Sequence, residues 1–130
     1  MVVRLMPNRI EHTVHPEYIE ITMYGTILPS VEKAESLQRW SKILDLCRKE
    51  KRKKVLAISH FEGVYQIDTS FNLVENAGKL GWDRSYKLAL VVEDEDRYLR
   101  FMFIESAMIQ YGYEMKLFDK KRTAKKWLLA

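Results

Sequence analysis

Val55-Leu56-Ala57-Ile58 and Leu88-Ala89-Leu90-Val91-Val92 are the stretches whose reading decides the fold. Unbroken apolar runs this short read as strands covered on both faces, the habit of a parallel sheet flanked by helices. Between them, Ser70 to Lys79 can make a short helix, opened by Asp68, Thr69 or Ser70 and closed near Gly78 or Gly81. After the second run, a helix from about Glu95 to Tyr111 ends at Gly112, and Glu114 to Phe118 makes a last short strand. Asp119 then caps a final helix carrying Ala124, Trp127 and Leu128.

Upstream of the first run the period is helical. Val31, Ala34, Leu37, Trp40, Leu44 and Cys47 fall every three or four residues, with Ile43 and Leu46 widening the stripe. This predicts a helix of about five turns, capped by Ser30, with Pro29 stopping the preceding strand and Glu32 suiting the positive helix start. Glu35 and Arg39 are placed to pair on its outer face. Further upstream, Ile10, His12 and Val14 alternate with polar residues, as do Ile19, Ile21 and Met23 beyond the turn at His15-Pro16-Glu17, which predicts an antiparallel hairpin. The order is β-β-α-β-α-β-α-β-α. It predicts an α/β fold with a mixed, mostly parallel sheet of about five strands, an N-terminal hairpin, and about four helices reached by right-handed crossovers. With no repeat, low-complexity tract or Gly/Ser linker, residues 1–130 read as a single domain.

Composition narrows the function classes. Apolar residues make up 47% and charged residues 31%, as in an ordinary globular chain. No apolar run approaches the roughly 20 residues of a membrane span. Met1 to Pro7 shows no basic leader with a long apolar stretch, so no signal peptide is expected. The lone Cys47 fits a reducing, cytoplasmic compartment. The 22 basic and 18 acidic residues leave a net charge of +4. The basic run Arg48–Lys54 falls at a helix end, where the carbonyl dipole favours cations. The group Lys120, Lys121, Arg122, Lys125 and Lys126 is not interleaved with aromatics for base stacking, which weighs against nucleic acid.

No catalytic or metal constellation stands out, and neither cofactor nor enzymatic activity is expected. His12 and His15, three apart in a strand, should point to opposite faces, and His60 has no ligand partner at a recognised spacing. Ser59 and His60 are adjacent, which rarely gives nucleophile–base geometry. Cys47 lies on a buried stripe, and Glu93–Asp96 reads as a solvated helix cap. Two segments are more informative. In the Glu95–Tyr111 helix, apolar residues including Phe101, Met102, Phe103 and Met108 surround most of the circumference, more than one core face needs. Either neighbouring helices cover the excess, above all the one bearing Trp127, or it forms a dimer interface or an apolar ligand cleft. The segment Phe61–Phe71, with Tyr65 and Asp68, lies beyond the C-terminal end of a buried strand, where open α/β sheets present ligand sites. Thr69 and Ser70, at a helix start, are candidate phosphorylation positions because free amides and the dipole would hold a phosphate there.

The element order, the strand Val55–Ile58, the Asp68-Thr69-Ser70 helix start, Lys87–Val92 with the following Glu105 and Gly112, and the ending Leu117-Phe118-Asp119…Ala124…Trp127-Leu128 together resemble the SpoIIAA-like branch of STAS domains, a bacterial group classed with SEC14-type domains. The resemblance runs from about Tyr18 to Leu128. It implies a SpoIIAA-like fold and a non-enzymatic regulatory module that engages a protein partner. In the anti-sigma-antagonist relatives a serine or threonine after an aspartate at this helix start is phosphorylated, and Thr69 matches it, with Ser70 next in line. Phe71 stands where those relatives commonly carry a small residue. The SEC14 side implies the alternative, a carrier or sensor of a small apolar, lipid-like ligand. Phe61, Tyr65, Asp68, Phe71, Phe101, Met102 and Met108 are the expected contact residues for partner or ligand.

Overall fold

The computed structural model describes residues 7–63 and 67–130. The chain is an α/β domain in which β1 (Arg9–Val14) and β2 (Ile19–Thr26) form the antiparallel hairpin and β3 (Lys54–Glu62), β4 (Lys87–Val92) and β5 (Glu114–Phe118) follow parallel to β2. The strands lie in the order β1-β2-β3-β4-β5. Between and after them run α1 (Glu32–Glu50), α2 (Ile67–Leu80), α3 (Glu95–Gln110) and α4 (Lys121–Leu129). Strands laid down in one direction with right-handed crossovers place every crossover helix on the same face. Accordingly α1, α2 and α3 line up side by side on one face, and α4 lies across β3, β4 and β5 on the other, the one helix there among the described residues. Among the described residues, no helix is long and apolar enough to cross a membrane.

Residue alternation divides the core between those faces. On β2, Ile19, Ile21 and Met23 are buried toward α1, while Glu20, Thr22 and Tyr24 are half-buried on the opposite side. The inner strands bury both sides: Val55 and Ala57 face the large core under α1–α3, and Leu56 and Ile58 face a small one with Tyr18, Ala89, Val91, Ala124 and Leu128. Two glycines make turns that other residues would strain. Gly63 (φ 94°) leaves β3 so close to Ile27 that a Cβ would lie 2.8 Å from its carbonyl oxygen. Gly112 (φ 85°) closes α3, where Tyr113 N–H donates to the Met108 carbonyl at 3.0 Å.

Several boundaries differ from the sequence reading. β3 continues four residues beyond Ile58, so Ser59, His60, Phe61 and Glu62 belong to the strand. α2 begins at Ile67, which puts Asp68, Thr69 and Ser70 inside its first turn instead of at its cap. Neither Ser30 nor Asp119 caps a helix: Val31 and Lys120 hold the cap positions of α1 and α4, without side-chain bonds.

The larger correction concerns α1. Val31 and Ala34 are exposed, and the buried face of the first half is polar, running Glu32, Ser36, Arg39 and then Ile43 and Cys47. Burial is tolerated because the three polar groups answer one another. Ser36 Oγ donates to Glu32 Oε1 at 2.9 Å, and Arg39 donates to the same oxygen at 3.1 Å. Arg39 therefore does not pair with Glu35, which instead accepts a hydrogen bond from Asn8 Nδ2 at 3.0 Å.

Farther along α1, burial pushes the Cys47 thiol up from its ordinary 9.0 to about 11. The folded chain thus holds this proton more tightly than the unfolded chain. Its contribution to stability is intact below pH 9.0 and is lost as pH climbs toward about 11. A disulfide reagent at neutral pH is expected to leave the native protein unlabelled and to label Cys47 once urea unfolds it; rapid labelling of the native state would contradict this.

Candidate functional site

Alternation along β3 sends Val55, Ala57, Ser59 and Phe61 toward α1–α3, and Leu56, Ile58 and His60 toward the α4 face. Ser59 and His60 thus lie on opposite sides of the sheet. His60 stacks on Tyr24, ring centroids 5.4 Å apart, and His15 stacks on Tyr18 at 4.3 Å. Among the described residues no three histidine, cysteine or carboxylate side chains converge. Asp94, from the acidic run, caps α3 by accepting the Arg97 N–H at 2.9 Å.

Ser59 instead faces an apolar cavity of about 50 Å³ between the sheet and the three helices. Leu73, Val74 and Ala77 of α2 and Phe101, Ile104 and Met108 of α3 form much of its wall. Trp82, in the turn after α2, closes another side, held edge-on by Trp40 at 6.1 Å and leaned on by Tyr86 at 4.9 Å. Arg39 reaches the cavity from α1, its guanidinium 4.4 Å from the centre of the Phe61 ring.

Two polar atoms in this wall have no partner among the described residues: Ser59 Oγ and Trp82 Nε1. A third unpartnered atom, Glu32 Oε2, belongs to the carboxylate whose other oxygen pairs with Arg39. A buried hydroxyl or indole N–H without an acceptor costs about 1–3 kcal/mol, so such groups in an apolar wall mark a site kept for something other than stability. Ser59→Ala is accordingly expected to raise the unfolding free energy by about 1 kcal/mol, measured by urea denaturation. A loss of stability would mean that the hydroxyl is satisfied in solution.

The residues singled out from the sequence divide into groups. Phe61, Phe101 and Met108 are buried in the cavity wall. Phe71, Met102 and Asp68 are exposed, with Asp68 Oδ1 accepting the Thr69 N–H at 3.0 Å. Tyr65 lies outside the described residues. Thr69 and Ser70 are only 3% and 5% exposed, so a kinase reaches either hydroxyl only if the first turn of α2 opens. The surplus of apolar residues on α3 is not covered by the helix bearing Trp127, which lies on the opposite face of the sheet. Leu99, Met102, Phe103 and Ile109 stay exposed.

Sequence reasoning assigned Glu32 to the helix start and Arg39 to an outer-face pair with Glu35, and passed over Ser36 and Trp82. The signal available was the spacing of residues 32, 36, 39, 43 and 47, which continues the buried Ile43–Cys47 face backward along one side of the helix. No protein-family model matches the chain, and no curated protein aligns with it significantly.

Proposed function

We propose that this chain is a non-enzymatic binding domain of the STAS type that holds a small apolar ligand between its sheet and α1–α3. The observation that carries this reading is the cavity itself, an apolar wall interrupted by the unpartnered Ser59 Oγ and Trp82 Nε1. Ligand sites combine a mostly apolar lining with a few placed polar groups, as this wall does. The element order and the mixed sheet support the STAS-type reading, and a buried, free Cys47 suits a cytoplasmic setting.

The test is occlusion. Ala77 lines the cavity from α2, and Ala77→Leu fills the space without adding a charge. Native mass spectrometry of the protein purified from its host should show a bound mass that denaturation removes. Ala77→Leu should lower its occupancy at least about tenfold. Undiminished occupancy in the folded variant would place the ligand elsewhere.

A second reading, a module that engages a protein partner or a second copy of itself, is favoured by the exposed apolar stripe Leu99, Met102, Phe103 and Ile109, with Phe71 beside α3 on α2. In that reading Met102→Asp abolishes partner capture and leaves ligand occupancy alone. Control through phosphorylation of Thr69 or Ser70 then disappears in the double alanine variant; normal control in that variant would end the switch reading.

A further inference from the structure

We infer that the cavity selects an uncharged molecule bearing a hydrogen-bond acceptor oxygen, such as a ketone, ester or amide with an apolar body, and rejects carboxylates. The inference rests on the ligand-cavity reading above and names the chemistry of its occupant.

Three observations lead there. First, the demand on the ligand is for an acceptor. Trp82 Nε1 donates and never accepts, the Ser59 hydroxyl can donate, and neither has a partner among the described residues. Trp82 and Ser59 both line the cavity and are each more than nine-tenths buried, so bulk water does not meet the two groups.

Second, the charge at the cavity is already balanced. Arg39 is the cation in the wall, and its side chain is 7% exposed against 2% for its partner Glu32, with the ion pair closed at 3.1 Å. Adding a carboxylate would leave two buried negative charges against one positive. The unpartnered Glu32 Oε2 would make this worse, since it is itself a negatively charged acceptor without a donor. A neutral oxygen meets the two donors without disturbing that balance.

Third, size limits the occupant. About 50 Å³ is well short of the roughly 150 Å³ that admits benzene in a rigid apolar cavity. The wall, however, includes Met23, Met108 and Met115, unbranched side chains that re-pack at little cost. A compact ring or short chain fits once they move, and a long acyl chain does not.

The experiment compares three probes of one shape: cyclopentanone, methylenecyclopentane and cyclopentanecarboxylate. Each is titrated into the full chain while the Trp82 indole N–H resonance is followed, assigned by its loss in Trp82→Phe. Cyclopentanone is expected to shift that resonance downfield and to bind about tenfold more tightly than methylenecyclopentane, with the carboxylate weaker than the ketone by at least about tenfold. In Ser59→Ala, read at the same resonance, and in Trp82→Phe, read at the indole N–H of Trp40 in the cavity wall, the ketone's advantage over the hydrocarbon should shrink to about threefold or less. Equal binding of ketone and hydrocarbon, or tightest binding of the carboxylate, overturns the selectivity while leaving the cavity a ligand site. Failure of all three probes to perturb Trp82, with the two donors held by water alone, overturns the ligand-cavity reading and this inference with it.

Discussion

Replacing Glu32 by alanine is expected to lower the unfolding free energy by about 3–5 kcal/mol, a large share of the roughly 5–15 kcal/mol that holds a domain of this size together. Glu32 is 1% exposed as a residue, and its carboxylate accepts from both Ser36 and Arg39. Without it, the Arg39 guanidinium stays buried beside Phe61 with its charge uncompensated, and the whole desolvation cost falls on the folded state. The pair is not thereby a net source of stability. Bringing two charges out of water costs about as much as their attraction returns. The double replacement Glu32→Leu with Arg39→Met is accordingly expected to come within about 1 kcal/mol of the parent, or above it. Urea unfolding of the parent, both single variants and the double variant closes the cycle. A mild single variant, or a double variant as unstable as the singles together, would contradict this account. The exposed pair Arg9–Glu11, at 3.1 Å with both side chains 56% exposed, provides the contrast; its removal should change stability by well under about 1 kcal/mol.

The second large effect is expected at Leu128. Its side chain is fully buried and, with Ala124, fixes α4 to Leu56, Ile58, Ala89 and Val91. Leu128→Ala is expected to cost about 2–5 kcal/mol. Because α4 is the one helix on that face among the described residues, the loss should also be local. Amide exchange in α4 should rise toward the rate of a frayed segment while β3 and β4 stay protected by the larger core. Lys126→Ala, on the exposed side of the same helix, should leave both stability and exchange unchanged. Uniform acceleration of exchange throughout the chain would mean that α4 does not open as a separate unit.

These two sites also mark where the sequence is transparent and where it is not. Leu56, Ile58, Ala89 and Val91 sit in unbroken apolar runs, and only strands covered on both sides accommodate such runs, so the parallel centre of the sheet and the presence of cover on both faces could be read directly, but not that the Trp127 helix lies across the sheet from α3. The hairpin was equally legible, because Ile19, Ile21 and Met23 alternate cleanly with half-buried polar residues. α1 was legible as a helix but not in its orientation. Hydrophobic periodicity assigns polar residues to solvent, and Glu32, Ser36 and Arg39 escape that rule by satisfying one another inside the protein. Cooperation of this kind depends on side-chain geometry that a one-dimensional pattern does not carry.

The candidate site shows the same division. Phe101 and Met108 were marked by the apolar excess of their helix, Phe61 by its place at the end of a buried strand, and all three line the cavity. Ser59 drew attention only as a neighbour of His60, a pairing that strand alternation separates, and its actual company with Trp82 joins residues from distant parts of the chain. Thr69 and Ser70 read as a helix cap because the start of α2 was placed three residues late, and that small displacement decides whether their hydroxyls meet solvent or the interior.

The placement of α4 bears on how the chain is made. α4 follows the strands and the three helices of the first face in the chain, so it is the last of these elements to be synthesised and to dock. Until then Leu56, Ile58, Ala89 and Val91 form a bare apolar surface on a nearly finished domain. Nascent chains in that condition are the ones that stick to each other or need a chaperone. α4 works as a late cover, and a chain cut just short of Lys121 is expected to aggregate where the longer chain does not.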